Sequence, residues 1–174
     1  MLFGIDLGHG CDFDGGAVGI RREEDLINET GELVIAKLSK AGHRIIRTRP
    51  LKANSTKHSL QQRCDIANYH ECEIFISIHF NSFTPTANGV ETFAISEIGW
   101  KYAENICKNI AQLGYTDRGA KNGRIYYVLR NTKMPAIIVE GCFITNKKDM
   151  ALFSAENTSD AILEGILSAS SPSG

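Results

Sequence analysis

The chain has 174 residues, 43% of them hydrophobic, which suits one domain with a sizeable core, since domains commonly run to about 100–200 residues. Nineteen lysines and arginines against 20 acids give a net charge of −1, with none of the basic surplus that would hold a nucleic acid by its phosphates. No apolar run approaches the roughly 20 residues of a membrane helix, and Met1–Asp6 has no positive n-region, so the sequence predicts a soluble protein made in the cytoplasm without a signal peptide. The five cysteines (Cys11, Cys64, Cys72, Cys107, Cys142) form no C-x-x-C pair and cannot all pair internally; they read as reduced, mostly small buried hydrophobes.

In chain order, Leu2 to Leu7 is a short apolar run ending in Gly8-His9-Gly10, a buried strand feeding a glycine-rich loop. From Glu23 the pattern turns helical, with Leu26, Ile27, Thr30, Val34, Ile35 and Leu38 on one face and Gly42 as the stop. His43 to Thr48 is a second strand, and Leu60, Cys64 and Ala67 make one face of a short helix. Ile74–Ile78 and Val90–Ile95 are strands, expected as an antiparallel pair. Trp100 to Leu113 repeats with helical spacing up to Gly114. Ile125–Leu129 and Ala136–Val139 read as strands, and Ala161–Leu167 as a closing helix. Residues 168–174 form a Ser/Pro/Gly tail or the start of a linker, which leaves 1–167 as the domain. Strands alternating with helices predict an α/β fold with a largely parallel core sheet.

In such sheets function collects at the carboxyl ends of strands. Three of these ends carry polar residues directly after apolar runs: His9 between glycines, His79 followed by Asn81 and Ser82, and Glu140 followed by Gly141. Glu23 opens the first helix just past the His9 loop. If these ends share a rim, two imidazoles and two carboxylates converge. Zinc takes three ligands of this kind and leaves a position for water, and a further carboxylate can move that water's proton. Taken singly, a histidine after a strand is more often a capping or core residue than a ligand, and Asn81 and Ser82 are ordinary turn residues. Glu140 reads first as a helix-start carboxylate, and Glu23 sits in a charge run with Glu24 and Asp25 that usually favours the helix dipole. Helical spacing puts Glu23 on the face of Leu26, Ile27 and Val34; a register taken from Glu24 would instead turn Asn28 and Glu32 inward.

The segments Ile5-Asp6-Leu7-Gly8-His9-Gly10, Gly15-Gly16-Ala17-Val18-Gly19, Thr48-Arg49, Arg63…Ala67-Asn68 and Phe75-Ile76-Ser77-Ile78-His79-Phe80-Asn81-Ser82 come in a recognisable order. They continue through Gly89-Val90-Glu91, Arg118-Gly119-Ala120-Lys121, Val128-Leu129-Arg130-Asn131-Thr132, Met134-Pro135-Ala136 and Val139-Glu140-Gly141-Cys142-Phe143-Ile144-Thr145-Asn146. Over about residues 2–152 the chain resembles the zinc-dependent N-acetylmuramoyl-L-alanine amidases of the amidase-3 family. The resemblance implies a mixed, roughly six-stranded twisted sheet flanked by helices. It implies His9, Glu23 and His79 as zinc ligands and Glu140 as the catalytic carboxylate. The implied reaction is hydrolysis of the amide joining the lactyl group of N-acetylmuramic acid in peptidoglycan to the L-alanine of the stem peptide. Two departures stand out: the stretch from Gly19 to Glu23 is short, which bears on the choice between Glu23 and Glu24, and Cys142 replaces the family's usual aliphatic or polar residue.

Arg63 and Arg130 could meet substrate carboxylates, although Arg130, read as ending a strand, could equally pair with a structural acid. Rival readings are a thiol hydrolase using Cys11, Cys64 or Cys142, an inactive wall-binding module, and a zinc endopeptidase of the stem peptide. Without a leader, a lysin of the phage type acting on the cell wall, as a monomer, is expected over an exported host enzyme.

Overall fold

Strand β1 (Leu2–Leu7) buries five of its six residues, as a strand covered on both faces must. It lies between β2 (Arg44–Arg47) and β3 (Ile74–Asn81), parallel to both. The computed structural model describes residues 1–170, and among these the sheet has six strands in the order β2-β1-β3-β6-β4-β5, with β4 at Val90–Ala94, β5 at Asp117–Asn122 and β6 at Ala136–Phe143. Strand β6 runs parallel to β3 and antiparallel to β4, and β4 is parallel to β5. The Val90 strand is therefore antiparallel as expected, but its partner is β6, which inserts between it and β3.

Alternation along the strands feeds two cores. Ile74, Ile76 and Ile78 join the larger apolar cluster with α1 (Glu23–Lys40), α3 (Glu97–Ala111) and α6 (Ala155–Ser170), whereas Phe75 joins a smaller one with α2 (Thr56–Tyr69) and α4 (Tyr127–Asn131). Helix α1 opens on Glu23, Glu24 and Asp25 and closes with Lys37 and Lys40 in its last turn, signs that complement its dipole. Helix α2 is capped by Ser55, whose hydroxyl accepts from His58 N at 3.1 Å, and Asn146 caps the short α5 (Lys147–Leu152).

The stretch read as a strand at Ile125–Leu129 is a turn leading into α4, where Val128 and Leu129 are buried in the smaller core. A five-residue apolar run does not distinguish strand from buried helix turn. The strand in this region is β5, whose sequence DRGAKN has no apolar alternation because it is the sheet's edge. The closing helix starts earlier than expected, at Ala155, and carries the first three residues of the Ser/Pro/Gly stretch; positions 171–174 of the expected tail lie outside the described residues.

Candidate active site

At the carboxyl end of β1 the backbone turns sharply: His9 adopts φ +54° and Gly10 φ +75°. A non-glycine residue in the left-handed region carries strain, and two guanidinium groups hold it there. Arg63, only 1% exposed, donates to Leu7 O (2.9 Å), His9 O (2.7 Å) and Asp6 Oδ1 (2.6 Å). Arg49 donates to Leu7 O, to Gly8 O at 2.8 Å and to Asn28 Oδ1 at 2.8 Å. Asp6 is buried beneath the loop and also accepts from Ser77 and Thr48. Arg63 is thus a buried clamp on the His9 loop, paired with Asp6, and Arg130 is an exposed residue of α4 rather than a strand end.

His79 is presented by β3 with its ring against the backbone of Gly8, where a Cβ would lie 2.2 Å from the imidazole; position 8 needs glycine for this approach. The His9 and His79 rings sit edge to face with centroids 4.7 Å apart. Glu23, 4% exposed at the start of α1, turns Oε1 to His9 Nε2 (3.2 Å) and His79 Nδ1 (3.1 Å). It also accepts from Ala17 N at 2.9 Å and from Phe80 N at 3.3 Å. Glu24 instead pairs with Arg22 at 3.2 Å, so Glu23 is the carboxylate that joins the two histidines. One donor atom from each of His9, Glu23 and His79 lies within 4.8 Å of the others, a group able to hold a metal ion.

Glu140 stands in register with His79 on one side and Glu91 on the other. Its Oε2 is withdrawn from solvent and has no hydrogen-bond partner among the described residues. Burial, reinforced by the charges of Glu23 and Glu91, raises its carboxyl well above the ordinary range. Burial opposes charge on Glu23 as well, but the two imidazoles outweigh it and hold that carboxyl below its usual value. Burial likewise opposes protonation of His9, yet Asp14 and Glu23 lift its pKa to about 10. All four groups line one cavity of about 420 Å³, whose wall also includes Leu60, Tyr126 and Tyr127.

Asp14 is the functional residue that the sequence reading missed. Its Oδ1 lies 2.5 Å from His9 Nδ1, which leaves Nε2 as the nitrogen facing Glu23 and His79. A carboxylate behind a ligating imidazole fixes its tautomer and direction. Its sequence signal, one acid in a glycine-rich loop five residues past the histidine, is weak without the fold. Asp6 and the clamping role of Arg63 and Arg49 also escaped it. Burial pushes the Cys64 thiol up to about 12 and raises that of Cys142 as well, which disfavours a thiolate at either, and Cys11 Sγ donates to Ser59 Oγ at 3.0 Å. Cys142 is fully buried, as a small packing residue.

A family model described as N-acetylmuramoyl-L-alanine amidase matches residues 4–170. LytC of Bacillus subtilis (strain 168), named as an N-acetylmuramoyl-L-alanine amidase, is 35% identical over 152 residues, covering 83% of this chain and 30% of its own. The endolysin of Bacillus phage SPP1 is 30% identical over 173 residues, covering 94% of this chain and 62% of its own. This chain therefore spans less than two-thirds of either relative. The solved structure of the N-acetylmuramoyl-L-alanine amidase AmiC2 of Nostoc punctiforme aligns with a TM-score of 0.82 at 33% identity over 97% of this chain and 96% of its own. With a family match over nearly its whole length, the chain belongs to the N-acetylmuramoyl-L-alanine amidase family.

Proposed function

We propose that the protein is a zinc-dependent peptidoglycan amidase, with His9, Glu23 and His79 as ligands and Glu140 as the catalytic acid–base, hydrolysing the amide between the lactyl group of N-acetylmuramic acid and the L-alanine of the stem peptide. The observation that carries this reading is the meeting of two imidazoles and an anionic carboxylate within 4.8 Å beside a carboxyl oxygen left without a partner. Two nitrogens and one oxygen are the donor set of catalytic zinc sites, which keep a further position open. When bound there, zinc would polarise the scissile carbonyl and lower the pKa of a water.

The chain's own groups supply the rest. Asp14 and Arg63 hold His9 in the direction that keeps Nε2 aimed at the cavity. Glu23, pinned by two backbone N–H groups, keeps negative charge at the centre of the trio. Glu140, poised by burial to be readily protonated, accepts a proton from the attacking water at its unpaired Oε2 and returns it to the departing alanine nitrogen. Leu60, Tyr126 and Tyr127 wall the cavity and limit water around the bond. The reading extends to a role at the cell wall, in the manner suggested by a relative named as an endolysin.

Zinc-loaded Glu140→Gln is expected to keep its metal content and circular dichroism while turnover of purified sacculi falls about 10³-fold, within the range for losing a general acid–base. End-group labelling of the wild-type digest is expected to reveal new N-terminal alanine. Full activity in the variant would overturn the role of Glu140, and a different new N-terminus would overturn the choice of bond.

A further inference from the structure

On the side of Glu140 away from the histidines, the sheet carries a second charged cluster that the proposed chemistry leaves unused. Glu91, 6% exposed and directly opposite Glu140 across the antiparallel pair, accepts from Asn81 Nδ2 at 2.7 Å, Arg118 Nε at 2.6 Å and Lys121 Nζ at 2.5 Å. One acid against two cations leaves the cluster a positive charge in excess. Asn81 lines the cavity, so the cluster is continuous with it. The Arg118 guanidinium lies over the Phe143 ring, its carbon 5.0 Å from the centroid, with Nε engaged by Glu91 and the side chain 35% exposed. Its two Nη groups make no hydrogen bond among the described residues. A guanidinium immobilised at Nε with its Nη donors free matches the fork geometry of a carboxylate. Neutralising Glu91 would need only one of the two cations.

Resting on the amidase reading, we propose that Arg118, with Lys121 beside it, recognises the backbone-side carboxylate of the stem residue that follows the alanine. A peptide held with its scissile nitrogen at Glu140 reaches this cluster if it runs past Asn81, which borders both, across β4 toward β5. Neighbouring strands stand about 4.8 Å apart and an extended residue covers about 3.3–3.6 Å, so a carboxylate one residue past the alanine comes within range of the long Arg118 side chain. The site then favours an acidic second stem residue over an amidated one.

The test uses zinc-loaded enzyme and three soluble muramyl tripeptides: one with D-glutamate second, one with its α-carboxyl amidated, and one amidated only at the C-terminal carboxyl of the third residue. The wild type is expected to cleave the first with about tenfold higher kcat/KM than the second, through KM, as a charge-assisted bond pair implies, and to treat the first and third alike. Arg118→Gln is expected to bring the first two substrates to about equal kcat/KM. Arg118→Lys, which retains a cation for Glu91 but not the fork, is expected to lose most of the preference while keeping the wild-type melting temperature. The proposal is overturned if the wild type shows no preference, if the preference survives both variants, if both substrates slow equally, or if the third residue's carboxyl sets it. Failure of the wild type to release alanine-terminated peptide from any substrate would overturn the amidase reading itself.

Discussion

The face of the sheet under α1, α3 and α6 is closed by apolar packing, with Leu26, Ile27, Ile76, Ile106 and Ile162 all fully buried. The opposite face, under α2 and the five-residue α4, buries a smaller cluster and leaves a cavity over Asp6, Ser77, His79 and Glu140. One face supplies stability through apolar area, and the other spends space on charge. Within that second face the polar groups differ again. The His9–Glu23–His79 side is cross-bonded and backed by Asp14, Arg63 and Arg49, whereas Glu140 is left without a partner. Cross-bonding fixes the side proposed to hold the metal, and the side proposed to move the proton keeps an unengaged oxygen.

The contrast breaks most severely at Arg63. Replacing it with leucine strands Asp6 and frees the Leu7–His9 carbonyls, and losing one partner of a buried ion pair destabilises by about 3–5 kcal/mol. At about 2–4 °C per kcal/mol for a domain of this size, thermal unfolding should move down by roughly 10 °C; an unchanged melting temperature would remove the clamp from the account. Asp14→Asn keeps the volume but weakens the hold on His9. Zinc affinity, read by competition with a chromophoric chelator, should fall about 10–100-fold with the melting temperature of the chelated protein little altered. An affinity equal to wild type would show that His9 orients itself.

The smallest effect sharpens the other half of the contrast. Because burial raises the Glu140 carboxyl, the folded chain holds that proton to a higher pH than the unfolded one. Its contribution to folding is therefore intact below the unfolded carboxylate range and is lost progressively as pH rises from there through the raised folded value. Glu140→Gln should melt higher than wild type at pH 7.5 in chelator, by an amount of order 1 kcal/mol, and the gain should shrink towards pH 4. A gain independent of pH would tie it to something other than ionisation.

The fold class and the meeting of His9, Glu23 and His79 are legible in the sequence because each residue directly follows a strong apolar run or opens a helix whose register fixes its direction. The register favours Glu23 over Glu24 but leaves the choice open; it is the contacts of Glu23 with both histidines, and of Glu24 with Arg22, that separate them. What is not legible depends on contacts between segments far apart in the chain. Asp14 matters through an imidazole whose orientation no pattern reveals. Arg63 reads as a cation that could meet a substrate carboxylate until α2 is laid over β1 and its guanidinium is spent on Asp6 and the His9 loop. Strand β5 is an edge whose charged side chains serve Glu91, so it lacks the alternation that marks a strand. The apolar residues before Arg130 mimic a strand because one turn of buried helix and a short strand share the same composition.

The position of β6 in the sheet carries one more consequence. It comes last in the chain among the six described strands, yet it wedges between β3 and β4, which precede it. Until residue 143 has left the ribosome, β3 has an open edge and the β4–β5 pair has nothing to join. The residue proposed to perform the chemistry rides on the piece that locks the architecture, so a chain interrupted before that point is neither assembled nor armed.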